Sequence, residues 1–160
     1  MDETLIAFGR DALWSCVVAV GFAVMFNVPR RMLIACGAVG AAGHVARYAL
    51  LQIGLPLETG TLFGAVLVGV LSALCSRLYR TPTLIFAIVG AIPMVPGVFA
   101  YRTMLGLIQV AGADAIPLDD RTLLLSGAAI NAVKTGLLLG ALAVGIAVPT
   151  LLFARRKPVV

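Results

Sequence analysis

His44 and Arg47 stand three positions apart in an otherwise apolar run. On a helix that spacing puts both on one face. Gly37 and Gly40 continue the face one to two turns earlier, a small-residue stripe along which a second backbone can approach. Asn131 and Lys134 repeat the spacing in the last apolar run, with Thr135 adjacent and Gly127 a turn before. Arg102 follows Tyr101 in a third run, which also holds Pro93, Pro96 and Gly97. Asn27, Gln52 and Gln109 are the other large polar residues of these runs. A cation at the centre of a membrane helix costs about 2.5–3.5 kcal/mol even on the lenient insertion scale. Such residues belong in a bundle interior, a wet cavity or against a partner.

Each of these residues also has a plainer explanation. His44 can be a packing histidine with its nitrogens satisfied. Arg47 can snorkel to the outer surface, since its run ends six residues later at Ile53. Lys134 has no such exit, because it lies deep between Arg121 and Arg155. Arg102 can mark a span boundary after a proline kink. Pro93 and Pro96 each remove a backbone donor and push the preceding turn out of helix, and Gly97 relaxes the backbone further. Two prolines so close in one run predict a discontinuous helix. The half-helix starting after Pro96-Gly97 would present free N–H groups and a positive dipole end to an anion. Transporters use interrupted helices in this way. Three cations in the runs and no carboxylate beside them favour a negatively charged ligand, most naturally a carboxylate.

The elements that must position these groups are membrane helices. Of the 160 residues, 61% are hydrophobic and 12% charged. A soluble chain carries about 25% charged residues, and a domain this small cannot hide so much apolar surface from water. Apolar runs cover 12–28, 32–53, 59–76, 84–100 and 122–153. Each approaches or exceeds the roughly 20 residues a membrane helix needs. The last would be about 48 Å long at 1.5 Å per residue, so it must tilt, protrude or bend, with Pro149 near its end. The runs are too long and continuous for barrel strands. The expected fold is an all-α membrane protein of five spans, the fourth broken by Pro93, Pro96 and Gly97. It forms one membrane domain over residues 1–160.

The connecting segments alternate in sign. Asp2, Glu3, Arg10 and Asp11 precede the first run, and Arg30 and Arg31 follow it. Glu58, then Arg77 and Arg80, then Asp114, Asp119, Asp120 and Arg121, then Arg155, Arg156 and Lys157 complete the series. Counting Lys and Arg alone gives the same alternation. The positive-inside rule then places the N-terminus outside and the C-terminus in the cytoplasm. The connecting segments sum to +2, and Arg47, Arg102 and Lys134 bring the net charge to +5; topology explains the basic segments, and no nucleic-acid partner is expected. Asp2 and Glu3 stand where a signal peptide would be basic, so none is expected. Cys16, Cys36 and Cys75 lie in apolar runs and read as small packing residues. No metal-ligand spacing and no nucleophile–base arrangement occurs, so neither a cofactor nor an enzyme is expected.

The segment Ile92-Pro-Met-Val-Pro-Gly-Val-Phe-Ala-Tyr-Arg102 resembles the threonine/serine exporter family, whose membrane half carries Pro-x-x-Pro-Gly followed by Tyr-Arg. Length, span number and cationic tail agree with the short subunit of its split, two-component form. The resemblance implies export of small carboxylates: threonine and serine in fused members, dicarboxylates such as succinate in the split pair. It also implies a larger partner subunit and a bacterial cytoplasmic (inner) membrane. Pro93, Pro96, Gly97, Tyr101 and Arg102 would shape the pathway, with Asn131, Lys134, Arg47 and His44 as polar lining. With no acid expected inside a span, a coupling carboxylate would lie on the partner. Two other readings stand beside this one. The chain is a structural subunit whose cations pair with partner acids, or it forms a homo-oligomer that holds the whole pathway.

Overall fold

A computed structural model describes residues 2–112 and 117–153. Asp114 of the fourth connection and Arg155, Arg156 and Lys157 of the tail lie outside the described residues. Among the described residues the chain is helical, with no strand. The helices are α1 (Asp2–Met25), α2 (Leu33–Gln52), α3 (Leu57–Tyr79), α4 (Leu84–Ala91), α5 (Gly97–Ala111) and α6 (Leu118–Phe153). Short 3-10 turns occupy Arg30–Met32 and Ile92–Met94. Among the described residues, four helical segments are long and apolar enough to cross a membrane, and a fifth crossing arises if α4 and α5 form one span.

Three helix ends share one device. After α1, Asn27 adopts φ 57°, the Val28 N–H donates to the Ala23 carbonyl at 2.9 Å, and the Asn27 N–H donates to Val24 at 2.9 Å. After α2, Gly54 at φ 88° supports the same pair of bonds, Leu55 to Leu50 and Gly54 to Leu51. After α3, Arg80 at φ 53° lets the Thr81 N–H reach the Ser76 carbonyl. Each left-handed residue turns the chain so that otherwise orphaned carbonyls are bonded. Proline follows within two residues each time, which prevents the helix from resuming. Asn27 is therefore a helix terminator.

Several elements outrun their expected bounds. α1 begins ten residues before the expected start of the first span, so Arg10 and Asp11 lie inside a helix. Leu5, Ile6 and Phe8 extend its apolar pattern, and Glu3 suits the positive end of its dipole. α6 begins at Leu118 with Asp119 and Asp120 in its first turn, for the same electrostatic reason. The fourth run ends in the 3-10 turn, Val95 is extended, and α5 then continues to Ala111. Arg102 consequently sits in the body of a helix and not at a boundary.

Two compact units emerge. The first holds the residues up to Val95 and α6 from Ala141. Its core is built from small side chains: Ala19, Ala23, Cys36 and Val89 around Phe86 and Met32, and Val39, Ala65 and Val68 around Met94 and Leu142. Backbones approach closely there. A Cβ on Gly64 would lie 2.7 Å from the Gly43 carbonyl oxygen, and one on Gly145 would lie 2.8 Å from that of Leu62. The second unit, Pro96–Gly140, pairs α5 with the first half of α6, with Gly106 set against Ala128. Large apolar side chains point outward, among them Ile34 at 85% and Leu78 at 78% exposure. In water such a surface would aggregate, whereas lipid tails match it.

Candidate functional site

The first polar constellation lies where α1, α2 and the 3-10 turn meet. His44 Nδ1 is 2.8 Å from Asp11 Oδ2. His44 Nε2 is 2.9 Å from Arg47 Nη2. Arg47 Nη1 donates to the Met94 carbonyl at 3.2 Å. One tautomer of the imidazole satisfies all of these contacts. A guanidinium only donates, so His44 Nε2 must accept with its lone pair, and Nδ1 must carry the hydrogen that Asp11 receives. The order is Asp11, neutral His44, Arg47, Met94. Arg47 does not snorkel; its Nε is buried without a hydrogen-bond partner. The ring of Phe8 meets that of Tyr48 edge-on at 4.9 Å, fastening α1 to α2 one turn from the Asp11–His44 pair.

Local sequence explains the pairing. Asp11, Ser15, Ala19 and Ala23 follow each other at intervals of four, and the last three are buried. This small-residue stripe packs on the Gly37–Gly40 stripe of α2, where a Cβ on Gly40 would lie 2.6 Å from that of Ala19. Carried one turn further, the two stripes bring Asp11 to His44. The sequence reading put Asp11 among the terminal charges and expected no acid inside a span. The structure places Asp11 within α1, on the helical segment Glu3–Met25 that is long and apolar enough to cross a membrane, and pairs it with His44. The interval-of-four stripe was the available signal. Asp11, His44 and Pro93 line a cavity of about 380 Å³.

The second constellation lies within the other unit. Arg102, Gln109 and Asn131 line a groove of about 320 Å³ between α5 and α6, floored in part by Gly106 and Gly127. Asn131 Nδ2 donates to the Gly127 carbonyl at 2.8 Å, which leaves its Oδ1 available. Thr135 donates to the Asn131 carbonyl. Lys134 Nζ stands 5.5 Å from the centre of the Phe99 ring, a cation–π contact. Its side chain is exposed. The groove offers one guanidinium and two amides in apolar walls. Those groups suit a small carboxylate: the guanidinium can take two oxygens, and amides can take a hydroxyl or amino group.

The nine residues singled out from sequence thus divide. His44, Arg47 and Pro93 are in the first unit, and Arg102, Asn131 and Lys134 are in the second. Tyr101 is exposed, Pro96 is buried and non-helical at φ −79°, ψ 53°, and Gly97 opens α5 with open space where a Cβ would stand. Sequence reasoning named Gln109 as polar but did not give it to the site; α5's extension to Ala111 brings it there. A Cβ added at Gly136 or Gly140 would meet nothing within 4 Å among the described residues.

Residues 11–152 match the family model described as Threonine/Serine exporter, ThrE. The chain is also similar to an uncharacterized protein from Haemophilus influenzae, 37% identical over 153 residues. That match covers 94% of this chain and 49% of the relative, so the chain spans about half the relative's length. No solved structure matches it. The match over nearly the whole chain, on apolar helices that include the Pro-Pro-Gly and Tyr-Arg positions, shows that this chain belongs to the threonine/serine exporter family.

Proposed function

We propose that this chain is one subunit of an exporter for small carboxylates, either threonine and serine or dicarboxylates such as succinate. The observation that carries the reading is the groove lined by Arg102, Gln109 and Asn131. Its volume suits a small metabolite, and its single guanidinium suits one carboxylate. The span made of α4 and α5 is interrupted at Pro93, Pro96 and Gly97, so the α5 N-terminus adds free N–H groups to the pathway. Tyr101 and Lys134 of the same unit add polar groups to it, and Arg47 and His44 form a separate polar site in the first unit. The chain is a single membrane domain of a bacterial cytoplasmic membrane, with its N-terminus outside and its C-terminus inside. A larger partner subunit supplies the remainder of the pathway. Efflux of labelled threonine and succinate from cells lacking their own exporters tests this, with the chain expressed alone and with its partner. Efflux of either compound only with both chains is the expected result. Efflux by the chain alone would point to a homo-oligomer, and no efflux under either condition would contradict the assignment.

Lys134 favours a second reading for its own role. It is exposed in the middle of α6, with an aromatic ring as its neighbour and no acid paired with it among the described residues. A partner carboxylate would neutralise it without any substrate contact. Lys134→Glu with the reciprocal change in the partner would restore efflux under this reading. If Lys134 lines the pathway, the double exchange stays inactive.

A further inference from the structure

Arg47 and a proton want the same lone pair. His44 Nε2 accepts from Arg47 Nη2 at 2.9 Å, and it is the only unprotonated ring nitrogen of a neutral imidazole. We propose that His44 is a proton-binding site of this chain at which a proton and Arg47 compete, so that proton uptake frees Arg47 and loosens its hold on the Met94 carbonyl. The steps balance. Water in the adjoining cavity delivers a proton to Nε2, and the Arg47–His44 hydrogen bond breaks because both atoms now donate. The Nδ1–H bond to Asp11 remains and becomes charge-assisted on both sides. Asp11 thus holds the imidazolium in place of Arg47.

The surroundings support this. The pair is neither sealed nor fully wet, with side-chain exposures of 18% for His44 and 20% for Asp11. The cavity beside it is lined by Asp11, Trp14, Ser15, His44, Ile92 and Pro93 among others, which gives protons access. Among the described residues, the charged groups around His44 are few. α1 contributes Asp11 and α2 contributes Arg47. α3 carries Glu58 in its first turn, near the Arg47 end of α2, where Gly60 meets the Arg47 carbonyl. Its Arg77 is in the last turn, and Arg30 and Arg31 precede α2 by more than three turns from His44. α4 and the Ile92–Met94 turn have no titratable residue. Met94 is the last residue before the extended Val95. What Arg47 grips is therefore the end of one helical segment at the interruption, and a proton bound at His44 acts on that grip. The inference needs only the geometry of the first unit and stands whether or not the chain exports carboxylates.

The chain provides its own reporters, because it contains one histidine and one tryptophan. The test is 15N-histidine NMR and Trp14 fluorescence on the full chain in lipid nanodiscs, titrated between about pH 5 and pH 8, the range in which histidine changes charge. At the alkaline end the ring is expected as the Nδ1–H tautomer, and at the acid end as imidazolium, with Trp14 emission following the same curve. Asp11→Asn should move the midpoint to lower pH, because it removes the anion that holds the charged ring. Arg47→Ala should move it to higher pH, because it removes the competitor. An Nε2–H tautomer at high pH would overturn the proposal. So would a ring that stays neutral while Trp14 responds, or two variants that shift in the same direction. The tautomer and titration need no substitution, so a variant that fails to insert leaves the proposal testable.

Discussion

Arg47 illustrates how much one side chain can do at residue scale. It holds an imidazole and a backbone carbonyl at once, and both would be left without a donor if it were removed. Arg47→Ala should destabilise the chain by about 1–3 kcal/mol, the usual result of stranding a buried acceptor. Arg47→Lys should recover part of the loss, since one ammonium cannot span both acceptors as the planar fork does. Thermal unfolding of the detergent-solubilised chain measures both. The His44–Arg47 relation was legible in sequence because it is local. Asp11 lies 33 positions from His44, and the interval-of-four stripe it heads does not by itself name a partner. Its membership became visible only when two small-residue stripes were laid together. Gln109 was missed for a related reason: the run appeared to end at Ala100, while α5 continues to Ala111.

At the scale of elements, composition and periodicity located the helices well and their ends less well. Charged residues at Arg10–Asp11 and Asp119–Arg121 look like loops to a hydropathy reading. Asp119 and Asp120 suit the first turn of α6, while Arg10 and Asp11 are carried in helix because α1 starts at Asp2 and apolar positions lie on both sides of them. Close packing was also only half legible. Glycines are abundant throughout, but the structure separates those that admit a neighbouring backbone from those that do not. Gly64→Ala should cost about 1–3 kcal/mol, because its Cβ would meet the Gly43 carbonyl oxygen at 2.7 Å. Gly136→Ala should leave the isolated chain unchanged or slightly more stable, since open space and better helix propensity await the methyl group. Thermal midpoints of the two variants should therefore move apart. Asn27→Ala should lower stability by about 1–2 kcal/mol through its left-handed backbone, and Asn27→Gly should not.

For the whole molecule, composition excluded a soluble protein, and the Pro-Pro-Gly and Tyr-Arg positions pointed to the family that the comparison then showed. A single chain could not disclose which cations share a cavity, because that depends on how the helices pack. His44 and Arg47 face Asp11 in one unit, while Arg102 and Asn131 line a groove in the other. These are different tasks for residues that looked alike in sequence. The alternating charges predict the orientation: cysteine-reactive probes applied from outside should label a cysteine placed at Glu3 and should not label one placed at Arg80. The central claim is that the Arg102 groove takes the exported carboxylate. Its most direct test is efflux of labelled threonine and succinate by Arg102→Ala, co-expressed with the proposed partner and matched to wild type in membrane abundance. A loss of at least about tenfold is predicted, equivalent to one charged hydrogen bond of about 1.5 kcal/mol, with partial recovery in Arg102→Lys. Wild-type efflux from Arg102→Ala would contradict the account.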